Sequence, residues 1–472
     1  MASRRDLLDS YQFAARRVVS ATVAHETDPA EWPYRRLGGA GFAALMVTVI
    51  ALAATGIFGM ISPGGKTSWK DGRSVIVVKE TGATYVYMTD TGRLHPTPNF
   101  ASAALLANTT TVTKTSTKSL ADVPRGPELG IADAPANLPT PSDLVAPPWS
   151  QCTKQAANLS GDQVSRTWMV VGKQPEAGTA VSEEALVVSD TADGSISLIW
   201  HDMRFPIKDV KRVGLALGLD NQITVPVGDA WLQALPSGQW IAPIVVDGSG
   251  RASTALDGAE VGQVQQVGDG DGAEYFLTLA SRLTPITELQ AKIQVAAGAE
   301  QKMVAAADVA DAPQERPVVT STSPPSQVPA FARLRQADTV ICASWNDGGF
   351  TPKIFVNSEI PVNSGLDTRA VSGTGTALAD RVWVQPGKAT LVQSLPSPES
   401  DSGPLYLVTD QGTRYAIPSD TALSALGLGS ADTWSLPASL VARIPEGPAL
   451  DPDAARAALQ VEEEINDIVP GT

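Results

Sequence analysis

Residues Leu37–Ile61, LGGAGFAALMVTVIALAATGIFGMI, contain no charged residue, no Asn, no Gln and no Pro. A helix over this stretch is about 37 Å long, enough to cross a hydrocarbon core of about 30 Å with some tilt. A buried helix of that length in a soluble protein would carry a polar face. The run therefore predicts one transmembrane helix. Ala51–Ala53 imitates a signal-peptide cleavage site, and Ser3-Arg4-Arg5 imitates a twin-arginine signal. A signal peptide carries its charges directly before the apolar run, whereas Arg4 and Arg5 lie about thirty residues upstream, so an uncleaved anchor is expected.

The residues flanking the span read as an interfacial collar: Trp32, Tyr34, Arg35 and Arg36 before it, Trp69 after it. Between span and Trp69, Gly64-Gly65-Lys66-Thr67 imitates the end of a phosphate-binding loop. Met60 stands where that motif needs its first glycine, and a membrane helix stands where it needs a strand. An exit loop with an interfacial Lys66 is the expectation.

Ahead of the span, Leu7, Leu8, Tyr11, Ala14, Val18 and Val19 recur at helical spacing, with Arg4, Arg5, Asp9, Arg16 and Arg17 mostly elsewhere on the wheel. This predicts an amphipathic helix with no core of its own. Its apolar face must find lipid or a protein partner. Leu7, Leu8, Tyr11 and Val18 are the candidate partner-binding residues.

Charge beside the span does not orient it, because Lys66, Lys70 and Arg73 balance Arg35 and Arg36. Cysteine does. The chain has only Cys152 and Cys342, each beside a tryptophan, in PPWSQC and VICASW. After a membrane anchor one disulfide is expected, closing a loop of roughly 190 residues. That favours a cytoplasmic N-terminus and an extracytoplasmic C-terminal domain. The net charge of −15 argues against a nucleic-acid binder.

The segment after the anchor repeats itself. YVYMTDTGRLHPT (Tyr85–Thr97) and LYLVTDQGTRYAIPS (Leu405–Ser419) both read as a strand, an Asp-x-Gly turn, a second strand and a proline. Leu186–Ile207 is a longer version, and Tyr275–Thr287 a degenerate one without the Asp-x-Gly. A second block matches between Ala216 and Ala425, ending in Pro-x-Gly, and Val123–Leu129 matches Ile444–Leu450. Each repeat reads as a hairpin, a short helix and a Pro-x-Gly exit.

The predicted class is α+β: a cytoplasmic amphipathic helix, one transmembrane helix, and four small α+β repeat units around a central β module. The expected boundaries are 1–36 for the cytoplasmic tail, 37–61 for the transmembrane helix and 62–150 for the first repeat with its connection. The second repeat, with entry to the central module, takes 151–270. The degenerate third repeat and a linker take 271–327, the central β module 328–400, and the fourth repeat with a C-terminal tail 401–472.

A search for chemistry returns little. His25, His95 and His201 lack a second ligand at zinc spacing. No Gly-x-Ser-x-Gly elbow occurs. Val267–Glu274 reads as an acidic turn, and Ile244–Gly248 as a strand entering a turn. Catalytic, cofactor-binding and metal residues are all predicted as none.

The chain resembles the EccB family, membrane core components of the actinobacterial type VII (ESX-type) secretion system. The resemblance rests on PYRR at Pro33–Arg36, the span, PGGKTSW at Pro63–Trp69 and LHPTPNFASAALL at Leu94–Leu106. The two cysteines and ADRVWVQPGKATLVQ at Ala379–Gln393 complete it. It implies an inner-membrane complex with an EccC-type ATPase and EccD-type and EccE-type membrane components, in homo-oligomeric assembly and in contact with membrane lipid. It also implies repeat modules similar to cell-wall-binding folds of phage lysins. The expected function is a structural component of the secretion complex. The alternatives are an ATP-hydrolysing component, since the family has been assigned an ATPase activity, and a cell-wall-binding module. No cofactor is predicted; ATP enters only through that family assignment, for which no complete motif is found.

Overall fold

The computed structural model describes residues 3–23, 25, 27, 33–61, 68–157, 160–315 and 320–457. The chain divides into two compact units, Met1–Lys70 with Val77–Gly82 and Lys114–Val123, and Asp71–Ile76 with Ala83–Thr113 and Pro124–Thr472. The first carries two long helices, α1 (Arg4–Val23) and α2 (Pro33–Ile61). A reciprocal pair starts α1: Ser3 N donates to Asp6 Oδ2 at 2.9 Å and Asp6 N donates to Ser3 Oγ at 3.4 Å, satisfying backbone groups that the first turn leaves free.

Among the described residues beyond these helices lie four four-stranded sheets and one seven-stranded sheet. All four small sheets share one spatial order, third–second–first–fourth. Their strands are Val75–Val78, Thr84–Met88, Arg93–Pro96 and Val112–Thr115 in the first module. The second uses Leu186–Asp190, Ile196–Trp200, Met203–Pro206 and Thr224–Val227. The third uses Val264–Val267, Glu274–Thr278, Leu283–Ile286 and Gln301–Met303. The fourth uses Ala389–Leu395, Leu405–Thr409, Arg414–Ile417 and Trp434–Pro437. In the second, third and fourth modules the fourth strand runs parallel to the first, after a crossover helix. The exit then bridges back to the third strand. Leu94, Arg204, Leu283 and Arg414 each donate their N–H to the carbonyl of Pro124, Pro236, Pro313 and Pro445 respectively.

Three features of the sequence reading change. The first, third and fourth repeats open with a strand the hairpin motif did not include, whereas Leu186–Ile207 already contained the opening strand of the second. Two of these, Val264–Val267 and Ala389–Leu395, move to the third and fourth modules from the segments 151–270 and 328–400. In the second module Asp193-Gly194 turns the first strand into the second. The turn homologous to Asp90-Thr91-Gly92 is instead His201-Asp202, two residues at φ 48° and 59° that form a tight hairpin without glycine. Ile244–Gly248 forms no strand, and Val245 at its tip is 90% exposed.

The glycine of Pro-x-Gly has a packing cause. A Cβ on Gly126, Gly238 or Gly447 would overlap the ring of His95, Phe205 or Tyr415, the residue after the bridged position in the third strand. The third module confirms the pairing from the other side: the ring position is Thr284 and the glycine position is Glu315.

The modules join in pairs. The crossover helices Val210–Leu217 and Glu288–Ala296 pack together, so Phe205, Val213 and Leu217 share a core with Leu289 and Ile293. The helix Phe100–Ala107 packs against Asp420–Ala425 and Pro452–Ala455, which buries every residue from Ala101 to Ala107. The seven-stranded sheet receives the second and fourth modules in one core containing Trp149, Trp345, Trp231, Val392 and Leu440. The chain entering the central module is docked on the second: Ala185 N donates to Ala330 O at 2.6 Å.

Candidate interaction sites and the family they define

The apolar helix is the first site. Within α2, Gly38–Ile57 is long and apolar enough to cross a membrane, and none of it is buried by the protein. Trp32 and Gly64–Thr67 lie outside the described residues, as do the side chains of Tyr34, Arg35 and Arg36. Met60 is helical, so the residues preceding the phosphate-loop imitation are not a strand. Trp69 corrects the collar. It sits in a short turn of helix, Ser68–Asp71, with no solvent exposure, and the Lys70 ammonium lies over its ring at 5.6 Å. An indole so enclosed cannot sit among headgroups. Trp69 is a buried residue.

The α1 face is the second site. Leu7, Leu8, Tyr11 and Val18 are 68%, 57%, 75% and 65% exposed, and only Ser20 of this helix is buried. Leaving four such side chains in water forfeits about 1.5–3 kcal/mol each relative to full burial.

The hub between modules is the third. Cys152 and Cys342 face each other directly in antiparallel strands Trp149–Ala157 and Ile341–Trp345, with Cα atoms 4.0 Å apart and a disulfide between them. Three residues away in each strand, Trp149 opposes Trp345, and both rings turn into the shared core. The same strand grips the second module. The Trp231 indole donates to Gln151 O at 3.1 Å, Gln151 Nε2 to Ala230 O at 3.2 Å, and Gly228 N to Thr153 Oγ1 at 3.1 Å. Ser439 Oγ of the fourth module donates to Ala234 O at 2.8 Å. The three bonds to the strand are buried and that of Ser439 is part-buried; each buried partner left orphaned would cost about 1–3 kcal/mol.

A group of charges lies at this junction. Burial raises the Asp190 carboxyl above its ordinary range, and the neighbouring Asp229 and Asp193 add to the rise. Burial lowers Arg204 and Arg443, opposed by the attraction of Asp229. At the connector into the fourth module, Lys388 Nζ meets Asp143 Oδ1 at 2.8 Å. That bond, with two from Thr140, from its hydroxyl and its N–H, holds the Asp143 carboxyl at about 2.

The LHPTPNFASAALL stretch is structural. His95 Nδ1 lies 2.9 Å from Pro127 O, fixing the exit strand. Asn99 accepts from Ser102 N at 2.9 Å as the N-cap of Phe100–Ala107 and donates Nδ2 to Ile131 O at 2.8 Å. Among the described residues, no group of three or more His, Cys, Asp or Glu is placed to hold a metal ion. His201 instead pairs with Glu183 at 3.2 Å and stacks on Trp200.

The family description "Type VII secretion system ESX-1, transport TM domain B" matches residues 1–461. The chain belongs to the EccB family. It is 30% identical to the Mycobacterium tuberculosis protein named ESX-2 secretion system ATPase EccB2, over 96% of this chain and 94% of that one. The M. tuberculosis protein named ESX-1 secretion system ATPase EccB1 is 25% identical over 95% of this chain and 93% of its own. Among solved structures, the EccB3 dimer from the ESX-3 core complex matches at 26% identity and a TM-score of 0.57, covering 82% of this chain and 100% of that one. A chain of an intact ESX-5 inner membrane complex matches at 24% identity and a TM-score of 0.60, covering 100% and 98%, which speaks to the fold. For an EccB protein, the apolar helix, the disulfide hub and the repeated modules are the parts to explain.

Proposed function

We propose that this EccB protein is a structural component of a type VII secretion membrane complex, with α1 cytoplasmic, α2 spanning the membrane and the modules extracytoplasmic. The observation that carries the reading is the division of the chain. A bare membrane helix separates an exposed amphipathic helix from a disulfide-closed array of modules whose identifiable polar clusters bind the modules to one another. The disulfide supports an oxidising compartment for that array. The unpartnered face of α1 suits a membrane-complex subunit, for which EccC-type, EccD-type and EccE-type components are the candidates. The solved dimer of a relative supports a homo-oligomeric arrangement.

The relatives' names include ATPase, which makes hydrolysis the second reading, and Lys66 separates the two. A P-loop lysine contacts the β/γ-phosphates, and its loss abolishes turnover. An exit-loop lysine near headgroups is worth about 1 kcal/mol. Lys66→Ala should leave assembly on native gels and secretion near normal. Loss of secretion and of nucleotide turnover in Lys66→Ala, with the complex intact, would reverse the ranking. For topology, a membrane-impermeant thiol reagent applied to intact cells should reach a cysteine placed at Gly161 and miss one placed at Asp9. The opposite pattern would overturn the orientation.

A further inference from the structure

Three of the four modules place a guanidinium of their own on the sheet face opposite the Pro-x-Gly ring. In the fourth module Arg414 lies over the Tyr406 ring at 4.8 Å, donates Nε to Ile444 O at 3.0 Å and pairs with Glu446 at 2.7 Å. In the first, Arg125 lies over the Tyr85 ring at 5.0 Å. In the second, Arg204 occupies the Arg414 position and reaches Gln233 Oε1 at 3.5 Å beside Asp229. Register makes the positions equivalent: Tyr85 pairs with Pro96, Phe276 with Pro285, and Tyr406 with Ala416.

The third module keeps the ring, as Phe276, and lacks the cation. Leu283 stands where Arg204 and Arg414 stand, and Gln314 where Arg125 stands. Its second helix, Ala306–Asp311, is alanine-rich, and the residue before the exit proline is Ala312 where the other modules have Val123, Leu235 and Ile444. The missing side chains leave an open cleft of about 550 Å³ lined by Glu274, Phe276, Pro285, Val309, Ala310 and Gln314. Glu288, ion-paired with Lys292 at 2.7 Å, lines it as well.

We propose that this cleft is an arginine receptor, filled by a guanidinium side chain on a segment of a partner protein. Two observations choose that occupant: the sister modules place an arginine of their own on this face, from the third strand in two and from the exit in one, and Glu274, with the Lys292-paired Glu288, lines the empty one. A planar cation over an aromatic ring with a carboxylate beside it is a favourable arrangement for arginine. This inference concerns a different site from α1 and stands whether or not the chain is non-enzymatic.

The test uses the full-length protein in detergent and the blocked tripeptide acetyl-Gly-Arg-Gly-amide, with its citrulline counterpart as a neutral isostere. Calorimetric titration at low salt should give saturable binding, with the arginine peptide about tenfold tighter than citrulline. Gln314→Arg, which supplies a guanidinium from the Arg125 position, should abolish binding. Ala310→Leu, which fills the cleft with an apolar side chain, is the second blocking variant. Glu274→Gln should weaken binding about threefold. Equal affinity for the two peptides, unchanged binding in both blocking variants, or no saturation by about 10 mM peptide would overturn the proposal.

Discussion

Gly447 and Gly238 behave as the floor beneath an aromatic ring, and their substitution tests that at single-residue resolution. Alanine would push its Cβ into Tyr415 or Phe205, and overpacking of this kind costs about 1–3 kcal/mol. Tyr415→Thr, which supplies the third module's residue at the ring position, should recover part of the loss caused by Gly447→Ala. A double-mutant cycle in denaturant checks it, and additive single effects would contradict the shared contact. Asp190 gives a second prediction. Its folded carboxyl lies above its unfolded value through burial, so the folded state binds the proton more tightly. That stabilisation is complete below the unfolded value and is lost as pH rises through the folded one. Asp190→Asn keeps the acceptor for Ala192 N and removes the titration. Its melting temperature should therefore exceed the wild type's more at neutral than at acid pH, and a gap independent of pH would argue against it. The glycines, prolines and aspartates that mark turns were legible in the sequence. The burial of Trp69 was not, because an indole beside a membrane exit has the same signature whether it faces lipid or a core.

At the scale of elements, the hairpins and the long helices were readable because their signals are local. An uncharged apolar run, a heptad-like face and an Asp-x-Gly turn each declare themselves within a few residues. The fourth strands, and the first strands of every module but the second, were not. In the second, third and fourth modules the two pair in parallel across a helix, and the fourth strands carry no turn signature. The first strands, such as Val75–Val78 and Ala389–Leu395, are short apolar runs joined to the hairpin by loops of varied length. That is why the expected boundary at residue 400 separates Ala389–Leu395 from its own sheet. The α1 face supports a prediction of its own. A carboxylate at Leu7 or Tyr11 leaves the helix intact, because both side chains already face solvent. If the face seats a protein partner, Leu7→Glu and Tyr11→Glu should each weaken complex assembly at least about tenfold, since one buried hot spot is worth about 1.4 kcal/mol or more. Native gels of detergent extracts read this directly, and unchanged assembly would point to lipid instead.

For the whole molecule, the disulfide spans a sequence separation of 190 yet joins two strands that are already neighbours. Its removal should leave the sheet topology unchanged and lower stability by about 2–4 kcal/mol. The denaturant midpoint of Cys152→Ser/Cys342→Ser against wild type, with circular dichroism as control, measures both. A midpoint that does not move would show that hub packing alone sets the stability.

The pairing of the first module with the last imposes an order in time. Phe100–Ala107 finds its neighbours in Asp420–Ala425 and Pro452–Ala455. At about 5–20 residues per second, a ribosome needs on the order of half a minute to add the intervening stretch of roughly 300 residues. During that interval an alanine- and leucine-rich helix is waiting for a surface that has not yet been made. Cys152 likewise waits for Cys342. A newborn chain is therefore most exposed to aggregation at its earliest-made module, and a chain truncated before residue 420 should be recognised by proteases there rather than at its broken end.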